Sequence, residues 1–475
     1  MKRNKGITLI ALIITIIILL ILVTVSINLV INGDLVGSAQ KAVNGINEKI
    51  ANQQSIADEL IKEFDENEED GEQKNETGAQ GTEQQETEKQ ETEQQETEKQ
   101  ETEQQEAQEV LPGTRVSENT KYVRNEKTAW IPKGFTVSEI STEQSIENGL
   151  VIYDIPEGTE VDWTNPDSVK TKYNQFVWIP VEVKSTDTES SIASFYITAW
   201  TENKATGGER ITGLSTTHTE PDSTNDTADK TGIADQIEEL TKSIYKYGGF
   251  YIGRYEAGVK PAEDGTSIPR TSSSSQTEEF VVQQDKYPYY YVKCGKSMSD
   301  VSEGAVYLCN NLYLPENTNY GATSMLCTGA GWDSMLDFIK DSSHSVTDST
   351  TWGNYANSET YKVYRGSLHS NSTWNLADTA NGSEVTKSSC ILLTTGATER
   401  NSSKNIYDVA GNCSEWTTES ISSSYRVFRG RRSRLRWFWR SSKLPPLQHF
   451  SDQRPVRRGI SPSTLCKTVS LQTIY

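Results

Sequence analysis

Histidine is scarce in this chain: only four occur in 475 residues, His218, His344, His369 and His449. No two of them stand in an H-x-H or H-E-x-x-H arrangement, so no zinc-hydrolase motif is available. A lone histidine in a polar loop is read as solvated, and no catalytic residue is assigned. Cysteine is almost as sparse. Cys294, Cys309, Cys327, Cys390, Cys413 and Cys466 all lie more than four positions apart, which excludes a zinc ribbon and a disulfide framework and leaves room for a single bridge. Positive charge is also short: 46 Lys and Arg face 66 Asp and Glu, a net charge of −20, which argues against nucleic acid as a partner. Long apolar runs are missing too, with one exception.

That exception is Ile7 to Ile31, 25 residues without a charge. At ~1.5 Å per residue such a helix is ~37 Å long, enough to cross a ~30 Å hydrocarbon core. Lys2, Arg3 and Lys5 precede it, which keeps the N-terminus inside and sends the rest of the chain out. No small-x-small cleavage site follows, so a secretory peptide is excluded and a plain signal anchor is the simplest reading. Leu35, Ala39, Val43, Ile46, Ile50, Ile56 and Leu60 recur at roughly helical spacing, predicting an amphipathic stalk that extends the span to residue 64.

Composition then changes abruptly. Residues 65–109 hold 18 acidic residues and 3 Lys, and from Thr82 they repeat T-E-[QK]-Q-E five residues at a time. A tract with so few apolar side chains cannot offset its ordering entropy, and is expected to be a disordered, self-repelling linker. From Val110 to about Gly430 the chain is rich in Ser, Thr, Asn, Gly and aromatics, long enough for one large core or for a small domain plus a second, larger one. Trp130–Phe135, Gly149–Tyr153, Asn174–Val181, Phe195–Trp200 and Gly248–Glu256 read as strands. Thr328 is placed to cap a helix carrying Trp332, Met335, Leu336 and Ile339 on its core face. Residues 201–240, 260–285 and 340–385 read as long polar loops, where ligand contacts tend to sit.

The densest stretch is Asn405-Ile-Tyr-Asp-Val-Ala-Gly-Asn-Cys-Ser-Glu-Trp416. Asp408 and Glu415 supply carboxylates, while a bend at Gly411 and Cys413 would turn two backbone carbonyls inward, the oxygen shell that calcium prefers. The same residues also make a glycine turn with no ion. Ile406, Val409 and Trp416 are expected to pin the turn to the core.

This run resembles the Y-D-M-A-G-N-V-W-E-W signature of the formylglycine-generating-enzyme/sulfatase-modifying domain, with Cys413 and Ser414 where the family has Val and an aromatic. Asn174–Val181, Gly248–Glu256 and Met325–Ile339 resemble that family's early strands and its L-P-T-E-A-E-W-E helix. The resemblance implies an α+β, C-type-lectin-like fold over residues 110–430. The enzyme branch of the family uses a pair of cysteines near the C-terminus to bind copper and oxidise a substrate cysteine; no such pair is found here.

At the N-terminus, Lys5-Gly6-Ile7-Thr8-Leu9-Ile10 resembles a type IV prepilin leader. This implies a leader of residues 1–6, cleavage after Gly6, methylation of Ile7 and association with other pilin-like subunits through the helix 7–64. Ala11 stands where most pilins carry a glutamate, as is typical of a minor pilin that starts a fibre.

The last residues are foreign to the rest. From Arg426 to Tyr475 there are 10 Arg and 2 Lys against one acid, Asp452. A basic tail ordinarily suggests a polyanion or an anionic membrane. The family instead expects R-V-x-R-G-G, a Gly/Ser/Tyr-rich stretch and G-F-R-P-A-L-Y-V-K. Tyr425–Gly430 begins that sequence and then leaves it. With suitable codons, Gly459–Lys467 read one base later gives G-F-R-P-A-L-Y-V-K, and Arg434–Arg440 gives D-Y-G-G-S-G-G. A one-base frameshift between Gly430 and Arg434 is therefore expected, with residues 431–475 a frameshifted tail.

Taken together, the expected protein is a single-pass cytoplasmic-membrane protein with its C-terminal domain outside, either free or in a surface fibre. Its lectin-like domain would bind an extracellular protein or glycan, with calcium as a structural ion. Similar modules are diversified by retroelements in the segment before G-F-R-P. A formylglycine-generating-type oxidase and a structural minor pseudopilin of a secretion or competence system remain the alternatives.

Overall fold

The computed structural model describes residues 110–211, 218–221, 232–272, 275–296, 300–355, 358–370, 373–386, 391–422 and 425–430, and the backbone of three later strands. The leader, the apolar run 7–31, the stalk and the acidic tract lie outside the described residues. Among the described residues no helix is long and apolar enough to cross a membrane.

The domain is α+β, with strands predominating over a few short helices. Its principal strands are β1 (Thr120–Arg124), β2 (Lys127–Ile131), β3 (Thr136–Val137), β4 (Val151–Tyr153), β5 (Gln175–Pro180), β6 (Gly249–Gly253), β7 (Ala322–Leu326), β8 (Ser414–Ser422) and β9 (Tyr425–Arg429). Three more come from the tail: β10 (Gln448–Ser451), β11 (Leu465–Cys466) and β12 (Val469–Thr473). The helices are α1 (Pro166–Lys170), α2 (Ile233–Tyr247), α3 (Ala305–Asn310) and α4 (Gly329–Ile339).

A six-stranded antiparallel sheet in the order β7-β12-β6-β5-β4-β3 forms the centre. Successive side chains of a strand point to opposite faces, and here both faces are covered. Phe176, Trp178 and Tyr251 join one hydrophobic cluster, which takes in Val306, Leu308 and Cys309 of α3. Val177, Ile179, Phe250 and Ile252 join the other, beneath Leu240 and Ile244 of α2 and Trp332, Met335 and Ile339 of α4. Two-sided burial explains why β5 and β6 are continuous apolar runs rather than alternating ones; antiparallel sheets with a wetted face alternate. A second, four-stranded sheet in the order β10-β9-β8-β11 carries the segment that follows the candidate turn.

Several sequence expectations hold at this level. β5, β6 and α4 fall where they were read, and the Thr328 hydroxyl accepts from the Gly331 amide at 2.9 Å, as an N-cap does. Others need correction. The loop assigned to residues 201–240 gives way at Ile233 to the 15-residue helix α2. Its buried Ile233, Leu240, Ile244 and Tyr247 recur on one helical face, but polar residues surround them and masked that period. The helix ends at Gly248, whose φ of 74° lets its amide return to the Ile244 carbonyl. Phe195–Trp200 is not a strand over its length: only Ala199–Thr201 is extended, and the Phe195 amide instead closes a turn on Ile192. Trp130 and Tyr153 belong to different sheets. Residues 340–385 contain four short strands, Tyr361–Val363, Ser367–Ser370, Thr373–Leu376 and Ser383–Val385.

A frameshifted tail has no evolved pairing partner and should leave the strand edges of the domain unpaired. Instead β12 lies between β7 and β6, pairing antiparallel with each, so tail backbone fills the middle of the central sheet.

Candidate functional site

The stretch from Asn405 to Trp416 is built on a tight hairpin. Ser402–Ser403 pairs with Ile406–Tyr407, and the two intervening residues, Lys404 and Asn405, both take positive φ, 47° and 64°, the geometry of a two-residue primed turn. Beyond it the chain lies against the interior segment at Asn354. The Asn354 amide donates to the Ala410 carbonyl at 2.7 Å, and the Asn412 amide donates to the Asn354 carbonyl at 2.8 Å. Gly411 sits between these bonds at φ +104°, and a Cβ there would overlap the Asn354 peptide. Glycine is required at this point.

Ile406, Val409 and Trp416 are buried, as expected. Trp416 is fixed twice, by its indole N–H donating to the Val292 carbonyl at 3.1 Å and by edge-on packing on Phe428. Asn412 is the hub of the turn. Its amide oxygen accepts from the Leu393 amide and from Asn354 Nδ2, while its Nδ2 donates to Glu256 Oε2 at 2.8 Å. Glu256 Oε1 accepts from the Cys413 amide at 3.0 Å. Cys413 was expected to contribute its carbonyl; its amide is what contacts a carboxylate, and its thiol is buried beside Tyr290 and Leu392.

Glu256 was not singled out in the sequence, because it follows the apolar strand Gly249–Gly253 in aromatic company and nothing local marks it. In the fold it is the carboxylate held by the turn. Burial pushes its carboxyl well above the usual range, and the Cys413 thiol and the Asp408 and Glu415 carboxylates push it further. Asp408 Oδ2 accepts from the Gly396 amide at 2.7 Å, while Oδ1, also buried, has no partner. Burial raises the Asp408 carboxyl to about 7, against the Gly396 bond, with Glu399 adding to the rise. Glu415 is 3% exposed.

Glu256, Asp408 and Glu415 are all buried, and at Glu256 and Asp408 neighbouring carboxylates add to the rise that burial causes. In charge, and in the open oxygen of Asp408, this suits a hard cation. Among the described residues, however, no three His, Cys, Asp or Glu side chains converge to hold a metal. Any ion would need backbone oxygens to complete its shell.

A second polar cluster surrounds the N-terminus of α4. Arg429 donates to both oxygens of Glu419, at 2.6 and 2.8 Å, and pairs with Asp333 at 3.1 Å. Asp333 also accepts from the Thr198 amide and the Trp200 indole. The short segment 218–221 bridges to Ser420 through Thr219 and brings Glu220 to the helix end. There the Gly329 and Ala330 amides donate to Glu220 Oε1, and the Thr418 hydroxyl donates to Oε2. A carboxylate at a helix N-terminus is favoured by the unpaired amides and the dipole. Burial nonetheless lifts the Glu220 carboxyl to about 7, and Glu419 contributes. His218, read as a solvated loop residue, is 3% exposed with its ring 3.8 Å from Glu419. The correction is tertiary in origin: polar sequence on both sides hides the bridge to β8.

A third cluster joins β6 to the hairpin. Arg254 Nη1 lies 2.7 Å from Glu143 Oε1 and donates to Gln175 Oε1, while Nη2 donates to Asn405 Oδ1. Glu143 also accepts from the Ser138 and Tyr153 hydroxyls.

Four cysteines, Cys294, Cys309, Cys327 and Cys413, are unbridged and buried. His344 stacks near Trp352 and contacts Asp341. No protein-family model, no curated protein and no solved structure matches the chain.

Proposed function

We propose that this is a pilin-like display protein of the cytoplasmic membrane whose outward, C-type-lectin-like domain binds an extracellular protein or glycan. The observation that carries this reading is the order of parts: a basic leader ending at Gly6, an uncharged run from Ile7 to Ile31, an acidic repeat to residue 109, and then a domain with its own two-sided core. A membrane span, a spacer that repels itself, and a folded head form the plan of a display protein. The resemblance to the formylglycine-generating-enzyme family in the Asn405–Trp416 run supports the lectin-like assignment of the head. Calcium is proposed at Asp408 and Glu415 with the carbonyls of Gly411 and Cys413, and Glu256 adds to the negative field. The ion would supply charge neutralisation and a fixed turn. The tail 431–475 is proposed to arise from a frameshift after Gly430.

The processing half of the proposal is tested by mass spectrometry of protein extracted from the membrane. A mature N-terminus at Ile7, methylated, is expected. An intact Met1, or a cut beyond Ile31, would refute the pilin-like assignment.

A further inference from the structure

The acidic groups described above are sealed inside the domain; a different acidic site is open. Where the chain enters the domain, residues 113–115 and the loop 155–163 enclose a cleft of about 580 Å³, within the ~300–1,000 Å³ typical of small-ligand sites. Its walls carry Glu139, Glu157, Glu160, Arg115, Thr136 and Trp163.

Three features of this cleft ask for a ligand. First, its lining holds three glutamates and one arginine, and Glu139, Glu157 and Glu160 are exposed, so the cleft concentrates negative potential. Second, two donors among its lining residues are unused. Thr136 is 1% exposed and its hydroxyl has no partner, and Arg115 Nε is buried and equally unpaired, although Arg115 Nη2 is held by the Asn319 carbonyl at 3.0 Å. Buried polar groups in folded proteins are nearly always satisfied, by protein or by something bound. Third, Trp163 lines the cleft as a half-buried ring, packed on the core and edge-on against Tyr153 at 5.2 Å and 86°. The loop that carries it is braced by turns, the Thr159 amide to the Pro156 carbonyl and the Thr164 amide to Asp162 Oδ1, so the wall is preformed.

A matching ligand needs a cationic group for the glutamates, a flat body for Trp163 and oxygen acceptors for the Thr136 hydroxyl and Arg115 Nε. We propose that this cleft binds an amino sugar with a free amine: ammonium toward Glu157 and Glu160, sugar ring on Trp163, ring hydroxyls at Thr136 and Arg115. A neutral sugar leaves the carboxylates unanswered, and a lysine side chain leaves the two donors unanswered. The proposal narrows the display reading to a class of glycan, and it relies on that reading only for the biological setting.

The test is isothermal titration calorimetry of the full chain in a polyoxyethylene detergent, which carries no sugar, at mildly acidic pH. The probes are the glucosamine trimer, the N-acetylglucosamine trimer and tri-lysine. The expected result is saturable binding of the glucosamine trimer, one per chain, with the other two at least about tenfold weaker; Trp163→Ala and the double variant Glu157→Gln/Glu160→Gln should each weaken it by about tenfold or more. The two glutamates are exposed, so the double variant keeps its fold and carries the test even if Trp163→Ala does not. Tri-lysine binding as tightly as the glucosamine trimer would overturn the proposal and assign the effect to bulk charge, including that of residues 65–109. So would affinities untouched by the double variant, or no saturable binding. Leader processing is read separately, so a failed display reading and a failed sugar site give different results.

Discussion

Glu143 and Asp408 are both buried carboxylates, yet they differ in charge. Burial alone would raise both. At Glu143 the Arg254 guanidinium and the Lys170 ammonium outweigh burial and hold the carboxyl below its usual range. At Asp408 no cation is present and the carboxyl rises to about 7. The pattern repeats around α4: Arg429 brings Glu419 down against burial, while Glu220, held only by amides and a hydroxyl, is pushed up to about 7. At Glu143 and Glu419 an arginine outweighs enclosure; at Asp333, which shares Arg429, burial still wins and the carboxyl stays raised.

Removing the arginine is the strongest way to break the comparison. Arg254→Met should leave Glu143 with Lys170 alone, 3.3 Å away, move the site toward that of Asp408 and cost up to about 3–5 kcal/mol, because a buried charge loses its closest partner. Urea denaturation should show a lower midpoint with an unchanged slope, and a loss below ~1 kcal/mol would mean that Lys170, Ser138 and Tyr153 suffice to hold Glu143.

Adding a cation should do the converse. At about 100 times its dissociation constant, calcium should stabilise the domain by ~2.7 kcal/mol, and Asp408→Ala should abolish the effect. Equal melting temperatures in chelator and in millimolar calcium would leave the Gly411 turn as an ion-free structural element.

The smallest effect is the pH dependence without calcium. Asp408 has a folded value near 7 and an unfolded value of ~3.9. Between these the folded state binds the extra proton, so its contribution is complete below the unfolded value and is lost as pH rises through about 7. Asp408→Asn, which still accepts from Gly396, should leave stability at low pH alone and raise it above neutrality by about 2 kcal/mol. Glu220, with its carboxyl also near 7, gives a residual slope of the same sign that Glu220→Gln should remove. A wild-type curve that rises with pH across this window would contradict the assignment of both groups.

The fold was legible where the local pattern and the global environment agree. Strands β5 and β6 announce themselves because burial on both faces leaves no polar position, and α4 because Thr328 caps it ahead of a regular apolar stripe. Helix α2 was hidden because only one of its faces is buried and the other carries Asp235, Glu238, Glu239 and Lys242. The candidate turn was readable from Gly411, whose backbone freedom the Asn354 contact demands. Glu256, which the turn grips, and Glu220, which the α4 N-terminus grips, were not readable, since each meets its partners more than 100 positions away in sequence.

By itself the sequence determined the plan of the molecule: one uncharged run of 25 residues, an acidic repeat with few apolar side chains, a domain able to bury a core, and a change of composition after Gly430. Those properties follow from composition and period, which need no partner in space. Tertiary structure alone decided which buried acids meet an arginine, that His218 is enclosed, that β12 enters the central sheet, and that Thr136 and Arg115 share a cleft with Trp163. Such facts depend on contacts between distant segments, and the energy of a charge is set by those contacts rather than by its neighbours along the chain.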